Sequence, residues 1–342
     1  MMIFRPLAAV GAAITIIAAG IADKAHAEDF YKGKTLRIIV GSSAGGGYDA
    51  YGRLVGRYIG QYIPGHPTVI VSNMPGAGGN NAAAHVYSAA PKDGTVIGAV
   101  AAGSVLDKVI GEAKRIRHDP AKTQYIGSAN SEMFTCVVRS DAPVKTFKDV
   151  FEKPVLIGSS GGTTRDMATM MNNLLGTKFK LVAGYKGTRQ INLALEKGEV
   201  QGVCGMGWTS IQKQHGRWFE EKFARVLVQE GHKALPELTK MGAALSLDYA
   251  KDAETRRIME LIYLQGVFTR PFMMAPEVPK DRVEIIRTAF MKALADPKAH
   301  EEASKQSMVI TAISGSELQE MVRKVYAMDP ALHAKARKAL GY

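Results

Sequence analysis

Three glycine-rich turns hold the residues best placed to do chemistry. The first reads Gly41-Ser42-Ser43-Ala44-Gly45-Gly46-Gly47-Tyr48-Asp49, the second Asn73-Met74-Pro75-Gly76-Ala77-Gly78-Gly79-Asn80, and the third Gly158-Ser159-Ser160-Gly161-Gly162-Thr163-Thr164. Each follows an apolar, strand-like run and opens a helical one. Glycine admits positive φ and lets a ligand approach the backbone. The first N–H groups of a helix have no internal acceptor. With the helix dipole they suit an anion. One such helix start is worth about 0.3–1 kcal/mol when exposed and up to about 2 when partly buried. The chemistry indicated is capture of a carboxylate by amides and hydroxyls, with no need of arginine. A single turn of this kind is explained by a tight connection. Three of them, with hydroxyls beside the glycines, point to a site.

Other motifs carry less. The first turn contains Gly45-x-Gly47, but Ala50 stands where a dinucleotide fingerprint requires its third glycine. The chain has no G-x-x-x-x-G-K-[ST] and no H-E-x-x-H. Ser159 or Ser160 as a nucleophile would lack a base and an orienting acid. A secreted serine-dependent hydrolase is therefore only a remote alternative, and no catalytic residue or cofactor is expected. Asp49, at a helix start, reads as a cap. His215 and His232 read as surface residues. Cys136 and Cys204 are the only cysteines. They stand either as a disulfide, if their strands are neighbours, or as two buried thiols. No Cys or His partner lies at zinc-ligand spacing, so no metal is expected.

These turns need strands and helices to position them. Strands are expected at residues 36–40, 69–71 and 96–100, with helices at 49–62 and 81–90 between them. Leu54, Val55, Tyr58 and Ile59 fall on one helical face. That order implies a parallel sheet covered on both sides. The theme restarts with strands at 134–139, 155–157, 180–182 and 200–204 and helices at 163–175 and 188–196. The last hundred residues are mostly helical, at 253–264, 281–295, 316–325 and 330–340. Residues 267–268 and 271–274 read as a return crossing. Two α/β units should share crossing strands near 125–134 and again between 226 and 268.

The first 27 residues differ from the rest. Arg5 precedes an apolar run from Leu7 to Ala22, and Ala25-His26-Ala27 is an A-x-A site. That is a secretory signal pattern with cleavage expected after Ala27. The run is short for the roughly 20 residues that span a bilayer, and no later segment is long and apolar enough to span. The 342 residues carry a net charge of +12, or +11 without the leader. The basic residues are scattered, with no run of five and no basic-aromatic box, so nucleic acid is not an expected partner. The charge favours approach of anionic solutes.

Together these residues resemble the Bug/TctC family, the periplasmic solute-binding proteins of the tripartite tricarboxylate transporters. Gly45-Gly46-Gly47-Tyr48-Asp49 is similar to the family's G-G-G-T-D, and Asn73-Met74-Pro75-Gly76-Ala77-Gly78-Gly79 to its N-R-P-G-A-G-G. Pro91-Lys92-Asp93-Gly94-Thr95, Gly162-Thr163-Thr164 and Tyr185-Lys186-Gly187 continue the likeness through the mature chain. The resemblance implies an α/β, two-lobed type II periplasmic-binding-protein fold. Its ligand cleft lies between two α/β domains joined by crossing strands. It implies a signal peptide at 1–27, lobe I at 28–130 plus 251–342, and lobe II at 131–250. It also implies a periplasmic monomer, not an enzyme, that binds a small di- or tricarboxylate or aromatic acid by hinge closure. The membrane permease subunits of such a transporter would be its partners. A subunit presenting ligand to a membrane sensor kinase is the alternative. The residues carried over are Ser42, Ser43, Tyr48, Asn73, Gly76, Ala77 and Gly78 in lobe I. In lobe II they are Ser159, Ser160, Thr163, Thr164 and Gly187. Tyr48, Met74, Asp166 and Gly205-Met206-Gly207-Trp208 depart from the family pattern. Arg165 and Arg189 are extra cations beside the lobe II turns.

Overall fold

The computed structural model describes residues 30–45, 47–185 and 187–342. The leader therefore lies outside the described residues, as do Gly46 and Lys186. Two six-stranded sheets organise the rest. The first holds β1 (Thr35–Val40), β2 (Thr68–Asn73), β3 (Val96–Ala99) and β4 (Gln124–Ser128), then β11 (Pro271–Met274) and β12 (Ile313–Ser314) from late in the chain. The second holds β5 (Phe134–Arg139), β6 (Val155–Gly158), β7 (Phe179–Val182), β8 (Gly202–Gly207), β9 (Ala224–Glu230) and β10 (Ala244–Leu245). Their orders are β12-β4-β11-β3-β1-β2 and β10-β9-β5-β8-β6-β7. β1 runs parallel to β2 and β3, and β6 runs parallel to β7 and β8.

Leu36, Ile38 and Val40 of β1 are buried without exposure. Helix α1 (Gly47–Ile59) covers them, and glycines let it lie close. A Cβ at Gly52 would come 2.6 Å from the Val40 side chain, and one at Gly56 2.6 Å from that of Val71. Tyr51, Leu54, Val55 and Ile59 form the buried face of α1. Tyr58, expected on that face, is half-buried and donates its hydroxyl to Glu302 at 3.0 Å. Helices α2 (Asn80–Ser88), α3 (Gly103–Ile110), α4 (Thr163–Leu175) and α5 (Thr188–Lys197) follow. Later come α6 (Trp208–His215), α7 (Arg217–Glu220), α8 (Pro236–Lys240), α9 (Ala253–Val267), α10 (Lys280–Ala295), α11 (Pro297–Lys305), α12 (Gly315–Tyr326) and α13 (Pro330–Ala339).

The expected alternation holds over residues 35–99 and 155–207, but each sheet also carries antiparallel strands where a parallel sheet was expected. α3 is a short helix that periodicity does not single out. α11 is marked by its start rather than by its period, since Asp296 caps it through the Lys298 amide at 2.8 Å and Pro297 takes its first position. Val267 closes α9 rather than joining the return crossing. A continuous apolar cluster runs from α3 through α9 and α13 to α4 and β5. It includes Leu106, Tyr263, Ala336, Met171 and Cys136. The open question at Cys136 and Cys204 resolves as a disulfide, because β5 and β8 are antiparallel neighbours.

Candidate ligand site

Strand direction decides where the glycine-rich turns meet. Phe134, which opens β5, lies opposite Gly207 and Glu230, which close β8 and β9. Pro271, which opens β11, lies opposite Ser128, which closes β4. The carboxyl ends of the parallel strands in both sheets therefore face the side where the chain crosses between sheets. In open α/β sheets that is the side where ligands bind.

The first two turns are tied together by Asp49. Its Oδ2 accepts from the Gly45 amide at 2.8 Å and from Arg53 Nε at 2.9 Å, and its Oδ1 accepts from Asn73 Nδ2 at 2.8 Å. Asn73 Nδ2 also donates to the Ser42 carbonyl, while Asn73 Oδ1 accepts from Arg53 Nη2. Asn73 thus spends its amide on bracing the two turns. Burial alone would raise the Asp49 carboxyl, but the hydrogen bonds from Arg53, Gly45 and Asn73 prevail and hold its pKa at about 2. The stabilisation is therefore present above the ordinary aspartate range and lost only as pH falls through about 2. Asp49→Asn should cost about 2 kcal/mol at pH 7, since charge-assisted hydrogen bonds contribute roughly 1.5–3 kcal/mol each. Urea unfolding measures this, and a variant as stable as wild type would remove Asp49 as the brace.

The turns also touch directly. A Cβ at Gly41 would sit 3.0 Å from Gly79 Cα. The second turn requires left-handed backbone at Gly76 (φ 124°) and Gly79 (φ 94°), and imposes it on Ala77 (φ 48°). A cavity of about 330 Å³ lies between them, walled by Ser42, Ser43, Tyr48, Gly76 and Ala101 among others. Ala77 and Gly78 continue its Gly76 rim in sequence. Ala101 carries no signal in the sequence that would single it out. A larger cavity, about 800 Å³, lies between α9 and α13, and none of the glycine-rich turns lines it.

In the second sheet the third turn opens α4. Thr164 Oγ1 donates to the Gly161 carbonyl at 2.8 Å and accepts from the Ser160 amide at 3.0 Å. Ser159 is buried and accepts from the Gly161 amide at 3.3 Å. Thr163 Oγ1 donates to the Gly205 carbonyl at 3.0 Å. The four hydroxyls shape the turn, and the first amides of α4 are left without intrahelical acceptors. Beneath lies Glu230, fully buried, whose Oε2 accepts from the Gly205 amide at 2.8 Å. Burial pushes its pKa up to about 8. Glu230 also gathers with Cys136 and Cys204, though both sulfurs are committed to the disulfide. Gly187 begins α5 beside this turn, where Tyr185 packs 3.5 Å from the Cβ position of Gly158.

The crossing segments contribute what the sequence did not flag. Residues 129–132 and 266–270 run side by side, with Ala129 N donating to Arg270 O at 2.9 Å and Glu132 N to Gly266 O at 2.8 Å. Asn130 links the Tyr51 hydroxyl, Glu132 and Thr311. Glu132 caps α6, accepting from the amide and hydroxyl of Thr209 and from Ser210 Oγ at 2.7 Å. Arg270 lies over Tyr48, 4.5 Å from the ring centre, and over Tyr51 at 5.1 Å. Arg165 instead pairs with Asp166 at 3.0 Å and stacks on Tyr342, and Arg189 is exposed at the start of α5.

Two sheets bridged by short crossings, with helix starts facing the bridge, define a two-lobed α/β binding-protein fold. A family model described as the tripartite tricarboxylate transporter family receptor matches residues 63–217. A TctC solute binding protein from Polaromonas superposes with a TM-score of 0.69 at 17% identity, covering 91% of this chain and 99% of that one. An R. palustris protein solved with adipate gives 0.62 at 19% identity, covering 90% and 97%. A Cupriavidus necator protein, described as a UPF0065 protein in the gbd 5' region, is 27% identical over 354 residues, covering 98% of this chain and 95% of that protein. The match to that family model is confined to residues 63–217, and the likeness of fold to the solved TctC protein extends over nine-tenths of the chain.

Proposed function

We propose that this is a periplasmic, non-catalytic solute-binding protein that captures a small carboxylate and delivers it to the permease of a tripartite tricarboxylate-type transporter. The observation that carries the reading is the convergence of glycine-rich helix starts from both sheets on the crossing side. The adipate-bound relative supports a dicarboxylate, and a tricarboxylate or aromatic acid belongs to the same class. Residues 1–27 serve as a cleaved leader, residues 28–130 with 251–342 as lobe I, and residues 131–250 as lobe II. The ligand contacts are Ser42, Ser43, Tyr48, Gly76, Ala77 and Gly78 from lobe I, and Ser159, Ser160, Thr163, Thr164 and Gly187 from lobe II. Asn73 belongs to the site as its brace. The protein acts as a monomer and closes about the crossing segments.

Closure from 1:99 to 99:1 requires about 5.5 kcal/mol of differential binding. A few charge-assisted hydrogen bonds at roughly 1.5–3 kcal/mol each supply that. The test is a thermal-shift screen of residues 28–342 against mono-, di- and tricarboxylates. A ligand at 100 times its Kd should stabilise by about 2.7 kcal/mol. A shift with another solute class and none with carboxylates would overturn the assignment. Small-angle scattering with the bound ligand should show compaction, and unchanged dimensions would remove hinge closure.

A further inference from the structure

Arg270 is a cation in an awkward place. It belongs to the return crossing, and its Nη1 donates to the Thr269 carbonyl at 2.8 Å. Its Nε is buried with no hydrogen-bond partner, and it has no carboxylate partner among the described residues. The guanidinium stands at the start of α1, where a Cβ on Gly47 would lie 3.3 Å from Nη2. A helix start already carries positive potential, so a cation is disfavoured there. The nearest acid of that turn, Asp49, is committed to Gly45, Arg53 and Asn73. What holds the guanidinium is two aromatic faces, Tyr48 and Tyr51, and Tyr48 also walls the 330 Å³ cavity. Two positive features thus stand together beside Tyr48, a residue of the cavity wall, and the guanidinium has no ion-pair partner among the described residues.

We propose that Arg270 is a specificity-determining ligand contact: it receives one anionic group of the bound solute at the start of α1, and an uncharged analogue is rejected because that cation would stay unpaired. The proposal rests on the reading of the cleft as a carboxylate site. It adds that one carboxylate is met by a side-chain cation from the crossing segment as well as by backbone amides. Gly47 leaves room beside the guanidinium, since an added Cβ would come within 3.3 Å of Nη2. Tyr48, where the sequence pattern has a small hydroxyl residue, supplies the stacking face that keeps the guanidinium at the cavity wall.

The test uses residues 28–342, wild type and the variants Arg270→Met and Arg270→Lys. Calorimetric titration employs succinate, glutarate, adipate, malate, citrate and benzoate, each beside its uncharged amide. Truncating one partner of a buried charge pair gives large losses, so Arg270→Met should weaken the best acid about 30-fold or more. Its preference for acid over amide should collapse towards unity, while the unliganded variant melts no lower than wild type. Arg270→Lys keeps the charge without the planar stack and should retain part of the acid preference. If an acid binds wild type and Arg270→Met binds it within threefold, the inference fails and the carboxylate reading stands. Weaker binding with an unchanged acid-to-amide ratio marks a structural role and also overturns it. If no acid in the panel binds wild type, the carboxylate reading fails and the inference fails with it.

Discussion

Gly205→Val should abolish ligand binding and cost about 3–5 kcal/mol of stability. A Cβ at Gly205 would lie 2.1 Å from the Thr163 carbonyl oxygen and 2.4 Å from its carbon. Both are backbone atoms at the start of α4, so relief requires moving the helix whose first amides belong to the proposed second-lobe site. Overpacking typically costs 1–3 kcal/mol. Gly205 also has φ of 69°, which strains any β-branched residue by a further 1–3 kcal/mol. Gly184→Ala supplies the contrast. Its φ is 109° but nothing lies within 4 Å of the added carbon, so it should show the backbone strain alone. Urea unfolding of both variants, with carboxylate titration, separates the two effects. Full binding by Gly205→Val would detach the third turn from the site.

The second large effect is a stability that falls as pH rises. Glu230 is fully buried, and burial raises its pKa from 4.5 to about 8 against the opposing hydrogen bond from Gly205. The folded state therefore holds a proton that the unfolded state releases above its ordinary glutamate value. Stability is complete below about 4.5 and declines as pH climbs through about 8. Each tenfold rise in proton affinity on folding corresponds to about 1.4 kcal/mol, so the decline is on the order of 5 kcal/mol. Glu230→Gln, which resembles the protonated acid, should flatten the curve and exceed wild type above pH 8. Chemical denaturation at pH 5, 7 and 9 measures it. Parallel curves for the two proteins would show that Glu230 titrates normally. Since Glu230 holds the Gly205 amide beneath α4, the same series should weaken ligand binding at high pH in wild type more than in the variant.

What the sequence made legible was periodic. The helix expected at 163–175 stands at Thr163–Leu175, because a glycine pair opens it and Gly176, with φ of 85°, closes it. The strand–turn–helix order located all three glycine-rich turns, since turn chemistry is local. Asp49 reads as the cap of a helix start, but it stands inside the first turn of α1 and its carboxylate reaches back to the Gly45 amide ahead of the helix. Its second task, holding Asn73, depends on how β1 and β2 align, which no local pattern encodes. Arg270 and Glu132 escape a sequence reading for the same reason. Each sits in an irregular crossing segment without periodicity, and each acquires its role from residues far away in sequence, Tyr48 for one and Thr209 for the other. The disulfide stayed open because pairing of β5 with β8 reverses the parallel order of their neighbours.

The crossing segments have a mechanical consequence. Residues 129–132 and 266–270 are joined to each other by two backbone hydrogen bonds, so they form a short ribbon rather than two separate tethers. A ribbon bends and twists readily but resists shear, because sliding one segment past the other breaks both bonds at once. Any relative motion of the two sheets is thereby reduced to few soft coordinates. Fewer coordinates mean less conformational entropy to surrender when the halves meet, since each freed backbone residue would cost about 1–2 kcal/mol to fix. On the hinge closure proposed above, the free energy gained from a solute would then go into holding it rather than into ordering the frame.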